Sequence, residues 1–163
     1  MIRPTPKIVQ LTQKKLVGKR LFMSFANNKT AELWRSFMPE RKQILNTLTN
    51  QLYSLQDYPF NFFSEFSPET VFEKWAAIEV TDFENLPQDM ESLLLPAGLY
   101  AVFQYKGKPE EATDFFNYIF QEWLPASEYL LDERPHFEVL GEKYRNDSPD
   151  SEEEVWIPVR NKG

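Results

Sequence analysis

Two short stretches of this chain set an acid two residues ahead of a tryptophan, Glu73-Lys74-Trp75 and Glu154-Val155-Trp156. Both lie in runs that alternate like strands, FEKWAAIEV over 72–80 and EEEVWIPVR over 152–160. Successive side chains of an extended backbone point to opposite faces, so Glu154 is aimed with Trp156, and Trp75 with Glu79. The remaining parity, Phe72, Lys74, Ala76, Ile78 and Val80 in one run and Val155, Ile157 and Val159 in the other, is the set expected to lie under helices. Acids and indoles on the far face are either an ordinary wet sheet surface or the walls of a pocket. In a pocket, desolvation raises the carboxyl pKa, and an incoming cation relieves that cost while resting on ring faces. A phenol beside such an acid could also share general acid–base work. Tyr100 in YAVFQY and Tyr53 in QLYSLQDY are the candidates for that part.

Other chemistries find less support. The chain has no cysteine, which removes disulfides, thiol nucleophiles and thiolate metal sites. Its single histidine, His136, excludes a multi-histidine metal centre and is expected at a surface or loop edge. The acids Asp147, Asp150, Glu152 and Glu153 lack the spacing of a calcium loop and read as a solvated turn. No glycine-rich phosphate loop occurs, and no cofactor is expected. A formal net charge of −7 argues against direct nucleic-acid binding. The cluster Lys14, Lys15, Lys19 and Arg20 reads as a solvated strand face. No apolar run approaches the ~20 residues of a membrane span, and MIRPTPKIVQ carries no export signal, so a cytoplasmic location is expected.

The elements that must position these residues follow from periodicity. Residues 7–25 alternate with an interruption at Gly18, and 31–44 carry Leu33, Trp34 and Phe37 at helical spacing, with Thr30 as N-cap and Pro39 ending or kinking the helix. Strands are expected over 51–58 and 70–80, with a loop from Pro59 to Pro68. The second half repeats the order: a strand over 91–106 broken at Pro96-Ala97-Gly98, a helix from Pro109 to Trp123, a loop over 125–135, then strands over 136–144 and 152–160. The pattern predicts an α+β fold of two β-α-β-β units, about 5–82 and 90–160, within one domain over 1–163. Their strands would join in one curved antiparallel sheet with the helices on one face and a cleft on the other.

The segments LPAGLYAVFQYKG, YIFQEWLP, RPHFEVLGEKY and EEEVWIPVR, in this order, together resemble the GyrI-like superfamily, the effector-binding domain carried by many AraC-type activators and also found alone. KLVGKRLFMSFANNKTAELWRSFMPER with FEKWAAIEV looks like the standalone bacterial members, and the resemblance spans nearly the whole chain. It implies a duplicated fold and a central cleft for small, often hydrophobic or cationic molecules. It places the ligand-contacting acid at Glu154 and cleft aromatics at Trp75, Trp123, Tyr100 and Trp156, with Glu79 and Tyr53 as further liners. Some standalone members are described as hydrolases of cyclopropane-containing compounds that use an acid and a tyrosine; Glu154 and Tyr100 would be that pair here. The chain has no residues to spare for a helix-turn-helix, so regulation would need a partner protein, or the function would be sequestration of a toxic molecule.

Overall fold

A computed structural model describes residues 3–141 and 152–163. The first half comprises β1 (Lys7–Leu11), β2 (Lys14–Met23), α1 (Thr30–Glu40) with a 3-10 turn at Arg41–Gln43, β3 (Leu52–Asp57) and β4 (Phe72–Glu79). The second comprises β5 (Glu91–Leu95), β6 (Gly98–Lys106), a 3-10 turn at Pro109–Glu111, α2 (Ala112–Tyr118), a π-helical turn at Ile119–Trp123, α3 (Leu124–Ala126), β7 (Tyr129–Leu131), β8 (His136–Leu140) and β9 (Glu152–Asn161). The turn expected over 146–154 lies outside the described residues up to 151, and from Glu152 the chain is already β9. The fold is α+β, with all nine strands antiparallel in one open sheet. Among the described residues no helix is long and apolar enough to cross a membrane.

The main path of the sheet runs β1-β6-β9-β8-β3-β4-β2-β5, with β7 added to β9. The two edge strands are exchanged between halves: β1 precedes β2 in sequence but pairs with β6, and β5 precedes β6 but pairs with β2. Only Thr12 and Gln13 separate β1 from β2. Three Cα–Cα steps span at most ~11 Å, so the far ends of the sheet must curl toward each other. The break in the N-terminal strand therefore falls at Thr12-Gln13, not at Gly18. Gly18 instead sits inside β2, where a β-carbon would collide with the Ala76 carbonyl oxygen of β4.

Curling gives the sheet two packed faces. On the concave face Leu16, Leu95, Tyr100 and Phe137 are fully or almost fully buried with Tyr53, Leu55, Trp75 and Val102. The convex face carries both helices. Leu33 and Phe37 of α1 pack on Val17, Ala76 and Ile78, while Phe115 and Ile119 pack on Ala101, Phe103, Val155 and Ile157. In α1 the Asn28 side chain, rather than Thr30, takes up a first-turn amide, accepting from the Thr30 N–H at 2.9 Å. The helix ends one residue after Pro39.

The two halves superpose through their tryptophans. Arg20 pairs with Trp75 and Val102 with Trp156, so Gly18 takes the place of Tyr100 rather than of Gly98. Leu55 pairs with Trp75 and Phe137 with Trp156, which makes Gln56 the counterpart of Glu138 and Ser54 that of His136. The acid–tryptophan echo is thus a true structural repeat: each indole Nε1 donates to the carboxylate two residues earlier, Trp75 to Glu73 and Trp156 to Glu154.

Candidate ligand-binding site

The gap between the two helices on the convex face is not filled by side chains. A cavity of about 660 Å³ lies there, over the middle strands of the sheet. Alternation along β3, β4, β8 and β9 sends Gln56, Lys74, His136, Glu138, Val155 and Ile157 to this side, where they border the cavity. Asn28 and Thr30 at the start of α1 wall one side; Phe116 and Phe120, on α2 and the π-turn, wall the other. The β3–β4 connection covers the end through Tyr58, Phe63 and Phe66, joined by Phe25. Phe63 stacks on Phe120 with ring centroids 5.1 Å apart and on His136 at 5.3 Å, so a loop of the first half touches a helix of the second across the opening.

The floor is polar and internally bonded. Lys74, 5% exposed, donates to Ser54 Oγ at 2.7 Å. With its oxygen toward Lys74, the Gln56 amide accepts from that ammonium and donates its N–H to Glu138 Oε2 at 3.2 Å. Burial raises the pKa of Glu138, opposed by Lys74 and by the Gln56 bond. Burial lowers that of Lys74, opposed by Glu138 and Glu153. Glu153, on the same side of β9, is pushed up to about 7 by desolvation and by Glu138, against the pull of Lys74. His136 is 6% exposed and pushed down to about 3 by burial alone, so its imidazole is neutral. It is a wall residue and not the surface histidine expected, because β8 lies centrally in the sheet and its alternation turns this ring onto Tyr58 and Phe63.

The residues proposed from sequence are placed as follows. Tyr53, Trp75 and Tyr100 share the face away from the helices, as parity requires, but that face holds a packed core, with exposures of 4%, 3% and 0%. The concavity expected to be the cleft is closed because Leu11, Leu16, Leu95 and Phe137 fill it. Tyr100 donates to the Pro135 carbonyl at 2.7 Å and lies under the Arg134 guanidinium, 4.7 Å from its ring centroid. Glu79 pairs with Lys14 at 3.3 Å. Glu154 is half-buried, bonded to the Trp156 indole at 3.2 Å and to Gln104 at 3.3 Å. Trp123 packs its ring on Phe103 and Tyr129 under the second helix. Of the seven, only Trp156 borders the cavity. Glu154 and Tyr100 are not brought together: they pair with Gln104 and Pro158, which puts them four residues apart along the ladder, ~13 Å.

Sequence reasoning missed Glu138, Gln56 and His136. One signal was present. Lys74 falls on the apolar parity of β4, and a lysine aimed under helices must meet either partners or a cavity. Among the described residues no group of acids and histidines could hold a metal ion.

Comparison with known proteins fits this arrangement. The curated transcriptional regulator BrlR of Pseudomonas aeruginosa is 23% identical over 154 residues, 94% of this chain and 54% of the regulator; the chain spans about half the length of that relative. Two solved structures share the fold at a TM-score of 0.73. One is SAV2435 bound to tetraphenylphosphonium, with 17% identity, 95% of this chain and 93% of the other covered. The second is the C-terminal domain of EcmrR, with 16% identity and coverage of 98% and 99%. The family model for the GyrI-like small molecule binding domain matches residues 4–160, and the chain belongs to that family.

Proposed function

We propose that the chain captures small aromatic molecules bearing one positive charge in the cavity between α1 and α2, with Glu138 as the charge partner. The observation that carries this reading is a carboxylate on the floor of an aromatic-walled cavity of about 660 Å³, bonded there to a neutral amide. That volume falls in the ~300–1,000 Å³ range of small-molecule sites. Two carboxylates, Glu138 and Glu153, stand near one ammonium, Lys74, so the floor carries a net negative charge once both acids ionise. A lipophilic cation completes that balance while its rings rest on Phe63, Phe116 and Phe120. The tetraphenylphosphonium held by SAV2435 has this chemistry. Trp156 borders the cavity from β9 with its indole bonded to Glu154, and Tyr53, Trp75 and Tyr100 pack the face of the sheet behind it. Effector sensing on behalf of a transcription regulator is the cellular role that such binding fits, given the relatives in which the domain occurs.

Calorimetric titration with methyltriphenylphosphonium, and with neutral triphenylphosphine oxide as its uncharged counterpart, tests the charge match. Glu138→Gln is expected to weaken phosphonium binding by about tenfold or more, equivalent to ~1.4 kcal/mol, and to change oxide binding less than about twofold. A folded Glu138→Gln protein that binds the phosphonium as tightly as the parent would remove Glu138 from the role.

A further inference from the structure

We infer that Lys74 is a nucleophilic amine that captures aromatic aldehydes as an imine within this cavity, an inference that rests on the cavity being a small-molecule site. The side chain rises from a central strand into the cavity floor and is 5% exposed. Its Nζ is held by two neutral oxygens, those of Ser54 and Gln56, and among the described residues no carboxylate lies within ion-pair distance of it. Most other cations on the strands flanking α1 have such a partner: Lys14 has Glu79, Lys19 has Glu40, and Arg20 has Glu73 and Glu91. Burial lowers the Lys74 pKa, against the opposing pull of Glu138 from β8 and Glu153 from β9. The neighbouring His136 stays neutral and adds no charge. A larger fraction of this amine is therefore unprotonated at neutral pH than of a lysine in water.

Glu138 supplies the second requirement. It shares the Gln56 amide with Lys74, and burial favours its protonated form. The neutral amine attacks the aldehyde carbon; the C–N bond forms and the carbonyl π pair moves to oxygen, giving a carbinolamine after proton transfer from nitrogen to oxygen. Glu138 then protonates the hydroxyl, water leaves as the C–O bond breaks, and the remaining N–H proton returns to the Glu138 carboxylate. The sum is amine plus aldehyde to imine plus water, with no redox partner. Phe63, Phe116 and Phe120 favour an aromatic substituent on the aldehyde.

The test uses 2-naphthaldehyde with sodium cyanoborohydride at pH 7, followed by intact mass and peptide mapping. In parallel, reversible binding of the unreactive 2-naphthalenemethanol is measured by calorimetry, with methyltriphenylphosphonium as competitor. The expected result is one reduced adduct on Lys74, formed about tenfold or more faster than on any other lysine, because ordinary lysines are almost wholly protonated at this pH. Lys74→Met should lose that adduct. Glu138→Gln should slow its formation while the alcohol still binds, which a merely reactive surface amine would not show. If the alcohol binds and competes but labelling is absent or spread evenly over the lysines, the imine inference is overturned and the cavity reading stands. If neither compound engages the cavity, both fall.

Discussion

Glu138, Gln56 and Lys74 form a chain in which one neutral amide spaces an acid from an amine. A direct buried ion pair would satisfy both groups and leave little for a ligand, whereas a spaced pair leaves each group open to a further partner in a low-dielectric site. Glu153 makes this floor sensitive to pH. Its folded-state pKa of about 7 is above its ordinary value, so its contribution to stability is fully present below the ordinary carboxylate range and is lost as pH rises through about 7. Glu153→Gln should therefore match the parent near pH 4 and be more stable at pH 8 by about 1–2 kcal/mol, less than the full linkage value because the carboxylate is only half-buried. Urea unfolding at the two pH values checks this, and equal stability at pH 8 would contradict it. Apart from Lys74 on the apolar parity of β4, the Glu138–Gln56–Lys74 trio was illegible as a site in the sequence for a physical reason. Gln56 and Glu138 are ordinary strand-surface residues unless the opposite face is also apolar. That becomes evident only when Tyr53, Leu55, Trp75 and Phe137 are seen packed together.

Among the elements, the β3–β4 connection links the fold to binding. It carries Tyr58, Phe62, Phe63 and Phe66, and Phe62 stacks on Tyr58 with centroids 4.5 Å apart, fixing the loop to its own half. Phe63 makes the crossing contact, its ring against both Phe120 and His136. Deleting that ring opens one end of the cavity without touching its charged floor. Phe63→Ala should speed phosphonium dissociation several-fold, by about 3–10 times, with little change in the association rate, since affinity differences at a fixed site reside mostly in dissociation. Stopped-flow fluorescence distinguishes this from an unaltered off-rate, which would show that the loop does not close the site. Most strand positions, and the helix from Pro109 onward, were readable from alternation and proline placement, but the segment expected as a loop over 125–135 contains β7, too short to alternate visibly. The exchange of β1 and β5 between halves was not readable, because alternation fixes which face a residue takes but not which strand lies beside it.

At the scale of the whole molecule, the placement of the two helices explains why a cavity exists. Two equivalent helices each cover their own half of the sheet, and the four central strands between them are left to make a floor. By strand register Gln56 corresponds to Glu138, Ser54 to His136 and Lys74 to Val155. The repeated acid–tryptophan pair was legible in the sequence, and strand parity placed both indoles on the face away from the helices. It could not show that this face would be consumed by packing, because that depends on the curl imposed by the two-residue link at Thr12-Gln13. The same curl moved the hollow to the helix side.

The most direct measurement is the position of a heavy-atom cation in a crystal. Diffraction from crystals grown with tetraphenylarsonium should give an arsenic anomalous peak between α1 and α2, over the floor formed by Gln56, Lys74 and Glu138. A peak on the opposite face, among Tyr53, Trp75 and Tyr100, would contradict the account.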